Sequence, residues 1–188
     1  MRRGRGYNGK KLPDSNMPAP DIVIRLLTPA DTPAFCALRL RAILDSPSSF
    51  SSSREDELAR TPEEHAQRIA GGAFQRGFGA FDGDRLVGFA GLQREKMRQL
   101  SHKALLWGVF VDVTQRGKGV ARRLVNACIE QAETDPAIMQ VHLSVNAENN
   151  AALGLYESLG FIAYGTEPRS MHVGELFYDE HHLALLLK

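Results

Sequence analysis

A predicted strand runs into a glycine turn and directly on into a helix at Val111-Asp112-Val113-Thr114-Gln115-Arg116-Gly117-Lys118-Gly119-Val120-Ala121-Arg122-Arg123, and this segment constrains the chain more than any other. Before the turn, residues 103–113 alternate, which predicts Trp107, Val109, Val111 and Val113 on one face of a strand. After it, Ala121, Leu124, Val125, Cys128 and Ala132 trace the apolar stripe of a helix over about 118–133. The first N–H groups of such a helix have no partner within it. Glycine lets a ligand approach those amides closely, and the helix dipole adds partial positive charge there. Together these features make a phosphate cradle. Arg116, Lys118, Arg122 and Arg123 crowd the same helix start. Cations are disfavoured there by roughly 0.3–1 kcal/mol each, and a bound polyanion reverses the sign.

The usual nucleotide patterns do not fit. A P-loop needs a glycine where Asp112 stands and Ser or Thr where Gly119 stands. The dinucleotide pattern puts its third glycine at Arg122.

The rest of the chain supplies the frame. Residues 22–27 read as a first strand. A helix follows, with Asp31 as N-cap and Pro33 in its first turn, running to about Leu44. Ser51-Ser52-Ser53 caps a short helix, and Thr61-Pro62-Glu63-Glu64 opens another as a capping box. Strands at 74–81 and 85–93 flank the hairpin turn Asp82-Gly83-Asp84. A strand at 139–145, a helix at 149–159 and closing strands at 161–166 and 177–187 complete the order. This predicts an α/β fold with a mixed sheet and helices on both faces.

Composition narrows the class. The chain has 188 residues and a net charge of +1, so global charge names no partner. Residues 1–20 read as a flexible basic tail and 21–188 as one domain. No apolar stretch follows the basic start or reaches membrane-spanning length, so a cytoplasmic protein is expected. Cys36 and Cys128 sit in apolar stretches without metal spacing. His181 and His182, adjacent on a strand, point to opposite faces, and no metal is expected.

Arg116-Gly117-Lys118-Gly119-Val120-Ala121 resembles the R/Q-x-x-G-x-G/A motif of the GNAT N-acetyltransferase superfamily. A second segment, Asn149-Asn150-Ala151-Ala152-Leu153-Gly154-Leu155-Tyr156-Glu157-Ser158-Leu159-Gly160-Phe161, resembles that family's N-x-x-A-x-x-L-Y-x-x-L-G-F. Asn149 and Tyr156 lie seven residues apart, so they share a helical face with Ala152 between them. Gly154, inside the same helix, suggests only close packing.

The resemblance implies a mostly antiparallel sheet of about six to seven strands whose central parallel pair splays apart. It implies acetyl-CoA as co-substrate, held by Val111, Val113, Arg116, Gly117, Lys118, Gly119, Val120, Ala121, Arg122, Asn149, Ala152 and Tyr156. The backbone N–H of Val111 polarises the acetyl carbonyl, an amine attacks directly, and Tyr156 protonates the CoA thiolate. Glu95 and His102, flanking the connection before the strand at 103–113, are the candidate general bases, and Glu148 is another. Acceptor contacts are expected in 46–60 and in a hairpin turn at Glu167-Pro168-Arg169-Ser170, with Arg169 placed for a carboxylate. No nucleic acid or membrane partner is expected, and homodimers are common among relatives. A non-enzymatic acetyl-CoA sensor on the same scaffold is the alternative function.

Overall fold

The computed structural model describes residues 22–187. The basic tail over 1–20 lies outside the described residues. Seven strands form one sheet: β1 (Val23–Leu26), β2 (Gln75–Asp82), β3 (Arg85–Arg94), β4 (Lys103–Val111), β5 (Gln140–Asn146), β6 (Ile162–Val173) and β7 (Leu176–Leu186). Their order across the sheet is β1-β2-β3-β4-β5-β7-β6. β4 and β5 are parallel, and all other neighbours are antiparallel.

Helices cover both faces, as the alternation of strand and helix signals predicts. On one face α1 (Thr32–Asp45) and α3 (Pro62–Ala70) pack Phe35, Leu38, Ile43 and Ile69 against Phe81, Leu86, Phe89 and Phe110. On the other, α4 (Val120–Glu133) and α5 (Asn150–Glu157) pack Leu124, Val125, Cys128 and Tyr156 against Val87, Ala90, Leu106, Val141 and Leu143. The short α2 (Arg54–Ala59) is tied to α1 and α3 through Glu57. Its buried carboxylate accepts from Arg39 Nε at 3.1 Å and from Arg68 Nη1 at 2.8 Å. Burial pushes that carboxyl up, but Arg68 and Arg39 more than reverse the effect.

Local sequence chemistry sets the helix starts. Ser53 and Asp56 bond each other's backbone N–H across the first turn of α2. Thr61 and Glu64 do the same for α3. Asp31 precedes α1 but makes no side-chain cap. Its carboxylate is taken instead by Arg25 and Thr28.

Three expectations are corrected. β4 ends at Val111, and Val113 lies in a 3-10 turn with 66% of its surface exposed. Trp107 and Val111 lie on opposite sheet faces: Trp107 packs edge-on against Phe35 of α1, whereas Val111 joins the core under α4. The reason is a bulge at Gly108, which has φ +67° and lies where the β3–β4 register shifts between Phe89 and Gly91. One extra residue reverses the side-chain phase beyond it. Finally, Glu167–Ser170 is a bulged stretch within β6 rather than a hairpin turn. β6 turns into β7 at Gly174-Glu175.

Candidate active site

β4 and β5 pair over only three positions, Lys103 to Leu105 against Gln140 to His142. Beyond them the strands part, leaving a gap of about 80 Å³ lined by Gly108, Val109, Leu143, Ser144 and Tyr156. A cleft of about 310 Å³ adjoins it. Val111, Arg116, Ala121, Asn149, Ala152 and Tyr156, each chosen from the sequence, line this cleft together. Ser46, Ser49, Phe50 and Leu155 line it as well. Ser46, Ser49 and Phe50 fall in the segment expected to meet the acceptor, and Leu155 is the leucine before Tyr156 in the second motif.

Gly117 and Gly119, at φ +76° and +75°, lie between Arg116 and Ala121, which line the cleft. A side chain on either would meet nothing within 4 Å, so the space in front of both backbones is open. Gly119 is the N-cap residue of α4. Val120 is 2% exposed and its side chain belongs to the core, so the turn is offered only its backbone N–H.

The cations at this turn already have protein partners. Arg116 donates through Nε to the Val111 carbonyl at 3.0 Å and pairs with Asp45. Lys118 folds back onto Thr114 and Gln115. Arg122 reaches Ser158 Oγ at 2.7 Å, and Arg123 is turned toward the Ile22 carbonyl. Only Arg116 among them lines the cleft.

Tyr156 is 7% exposed and edge-on to Phe161, with ring centroids 5.8 Å apart. Burial raises its phenol well above the ordinary value, and neighbouring Cys128 adds to the rise. Burial also raises the Cys128 thiol, which keeps it un-ionised and a poor nucleophile. Asn149 caps α5, its Oδ1 accepting from Ala152 N at 3.1 Å, and faces the cleft from that position. Asn146, missed in the sequence, ends β5 and donates to the Ser48 carbonyl at 3.1 Å. It fixes the 47–49 turn beside the gap.

Glu95 and His102 are not brought to the cleft. They flank the start of β4 and line neither the gap nor the cleft, whereas the gap is lined on that strand from Leu106 onward. Four residues of strand, from His102 to Leu106, put about 13 Å between them. Arg169 stacks on Phe177 at 5.2 Å and takes no carboxylate partner in an ion pair among the described residues. His181 bonds Thr166, whereas His182 faces Ser144 and Glu167, so the adjacent imidazoles have separate partners. Among the described residues no group of three His, Cys, Asp or Glu side chains is placed to hold a metal. Nor is any helix there long and apolar enough to cross a membrane.

The model of the acetyltransferase (GNAT) family matches residues 39–161, which include the turn, the gap and α5. The chain belongs to the GNAT acetyltransferase family. It is 32% identical over 143 residues to a mycothiol acetyltransferase of Brachybacterium faecium, covering 73% of this chain and 39% of that protein. The chain spans about two fifths of the length of the curated relatives it matches over the longest stretches. The fold is that of a GNAT-family acetyltransferase from Streptococcus pneumoniae, with TM-score 0.81, 22% identity and coverage of 89% of this chain and 100% of that one. It is also that of yncA from Salmonella typhimurium, solved with its cofactor acetyl-CoA, at TM-score 0.77, 20% identity and coverage of 89% and 95%.

Proposed function

We propose that this protein transfers the acetyl group of acetyl-CoA directly to an amine, in keeping with a cytoplasmic location. The carrying observation is the opening between β4 and β5, which has Tyr156 at its wall and the glycine turn of α4 at its mouth. A long, thin cofactor with a polyanionic end fits that shape. Its pyrophosphate lies against the backbone N–H groups of Gly117 to Ala121, where donors and helix dipole both favour negative charge. Its pantetheine arm runs into the opening past Ala152, whose small side chain leaves room. Arg116 already occupies the Val111 carbonyl, so the N–H groups along Val109–Val111 are the donors to match with the arm and the acetyl oxygen.

The acceptor amine attacks the thioester carbon, the C–S bond breaks, and sulfur leaves as thiolate. Tyr156 supplies a proton to that sulfur. Burial keeps the phenol protonated before reaction, and the thiolate released into the same apolar cleft is raised in basicity by the same desolvation. The buried Cys128 thiol supports direct transfer over an acyl-enzyme. Relatives named for acetylating 2,4-diaminobutyric acid and spermidine support an amine as acceptor class. The test is CoA release from acetyl-CoA with a panel of amines: amine-dependent release supports the proposal. Tight acetyl-CoA binding without transfer to any amine would favour a sensor domain.

A further inference from the structure

The acceptor amine reaches neutral pH as an ammonium ion and must lose a proton before it attacks. The opposite side of the gap from Tyr156 holds groups that can take it. Along β5, Val141, Leu143 and Val145 enter the core under α4 and α5, so His142 and Ser144 point to the other sheet face. Ser144 lies directly across from His182 of β7, and its Oγ is 2.8 Å from His182 Nδ1. His182 Nε2 is 3.2 Å from Glu167 Oε2, in the bulged part of β6. Tyr164 stacks on the His182 ring at 6.0 Å.

With the His182 ring neutral, these distances fit one arrangement of protons. Nε2–H donates to the Glu167 carboxylate, and Nδ1 then accepts from the Ser144 hydroxyl. Ser144 Oγ keeps its lone pairs free, and it lines the gap with Gly108, Val109 and Tyr156. The ring is partly open to solvent, with 28% of the His182 side chain exposed. A proton taken here can therefore leave to water.

We propose that Ser144 and His182 form the proton exit for the acceptor amine, with Glu167 holding the imidazole in the receptive tautomer; this rests on the acetyl-transfer reading above. The ammonium N–H gives its proton to Ser144 Oγ as the Ser144 proton passes to His182 Nδ1. The amine, now neutral, forms the N–C bond, and the C–S bond breaks. Tyr156 protonates the departing sulfur, and the second proton lost by the product nitrogen returns to the Tyr156 oxygen. One proton remains on His182 and passes to water, which balances the reaction. Glu167 beside the ring attracts the incoming ammonium toward Ser144. The groups facing His182 are Ser144 and His142 on β5, Tyr164 and Glu167 on β6, and Glu180 two residues away on its own strand.

The test uses the full chain, acetyl-CoA, and whichever of spermidine, 2,4-diaminobutyrate or a peptide with a free amino terminus turns over fastest. His182→Gln and Ser144→Ala are each expected to lower kcat/KM for the amine about 100-fold at pH 7. Acetyl-CoA affinity, measured by calorimetry, should stay within about threefold of wild type for each. The deficit should shrink as pH rises toward 10, where the amine deprotonates without help. Glu167→Gln should show a smaller loss with the same pH trend. Full amine kcat/KM and an unchanged pH profile in His182→Gln and Ser144→Ala would overturn the proposal while leaving acetyl transfer standing. A deficit constant from pH 7 to 10 would overturn it as well, marking these residues as structural. Loss of acetyl-CoA binding by the wild type would instead remove the function on which it rests.

Discussion

Two buried side chains carry different parts of the account. Tyr156 is held against Phe161 under the gap, with its phenol kept protonated by burial. Tyr156→Phe preserves that packing and removes only the proton. It should lower kcat by about 100-fold or more while leaving the affinity for acetyl-CoA near wild type, as single-turnover kinetics and calorimetry would show. Asp112 has a structural part, at the point where β4 becomes the cofactor turn. The backbone N–H of Thr114, then the Thr114 hydroxyl and Arg41, hold its carboxyl down to about 2. A depressed carboxyl stabilises the fold above its unfolded value, near 4, and that stability disappears as pH falls from about 4 to about 2. Asp112→Asn should therefore be less stable by about 1–2 kcal/mol at pH 7 and lose the deficit below about pH 2, read by urea unfolding across pH. Side chains within one helix were legible from spacing alone: Asn149, Ala152 and Tyr156 share a face because seven residues make nearly two turns. Ser144, Glu167 and His182 were not, because only the register of β5, β7 and β6 brings them together.

The elements around the cleft followed their sequence signals where those signals are local. Capping boxes started α2 and α3 where Ser53 and Thr61 stand, and the apolar stripe placed α4 within two residues. The bulge at Gly108 escaped, since one inserted residue leaves the composition of β4 untouched while reversing the phase of everything after it. Gly154 in α5 faces open space. A side chain there would meet nothing within 4 Å, so close packing does not account for it. Replacing it with alanine should stabilise the helix by about 1 kcal/mol and raise Tm by about 2–4 °C, measured by calorimetric melting. A lower Tm would show that α5 departs from ordinary helical backbone at this point.

At the scale of the whole molecule the decisive feature is a sheet whose central parallel pair separates after three paired positions. Two cores, one on each face under its helical layer, pack the sheet, and the core under α4 and α5 takes residues from both sides of the opening. A ligand filling it bridges β4, β5, α4 and α5 at once. The element order and parallel step were legible as a mixed α/β sheet, whereas the extent of the separation depends on how far β4 and β5 pair, which no local spacing encodes. The most direct measurement is calorimetric titration with acetyl-CoA of the wild type, Gly119→Ala and Gly119→Glu. Both substitutions carry the same left-handed backbone strain, about 1–2 kcal/mol, but only glutamate puts bulk and negative charge at the mouth. The account predicts micromolar binding by the wild type and at least tenfold weaker binding by Gly119→Glu than by Gly119→Ala. A folded wild type that binds no acetyl-CoA, or equal affinity in the two variants, would contradict it.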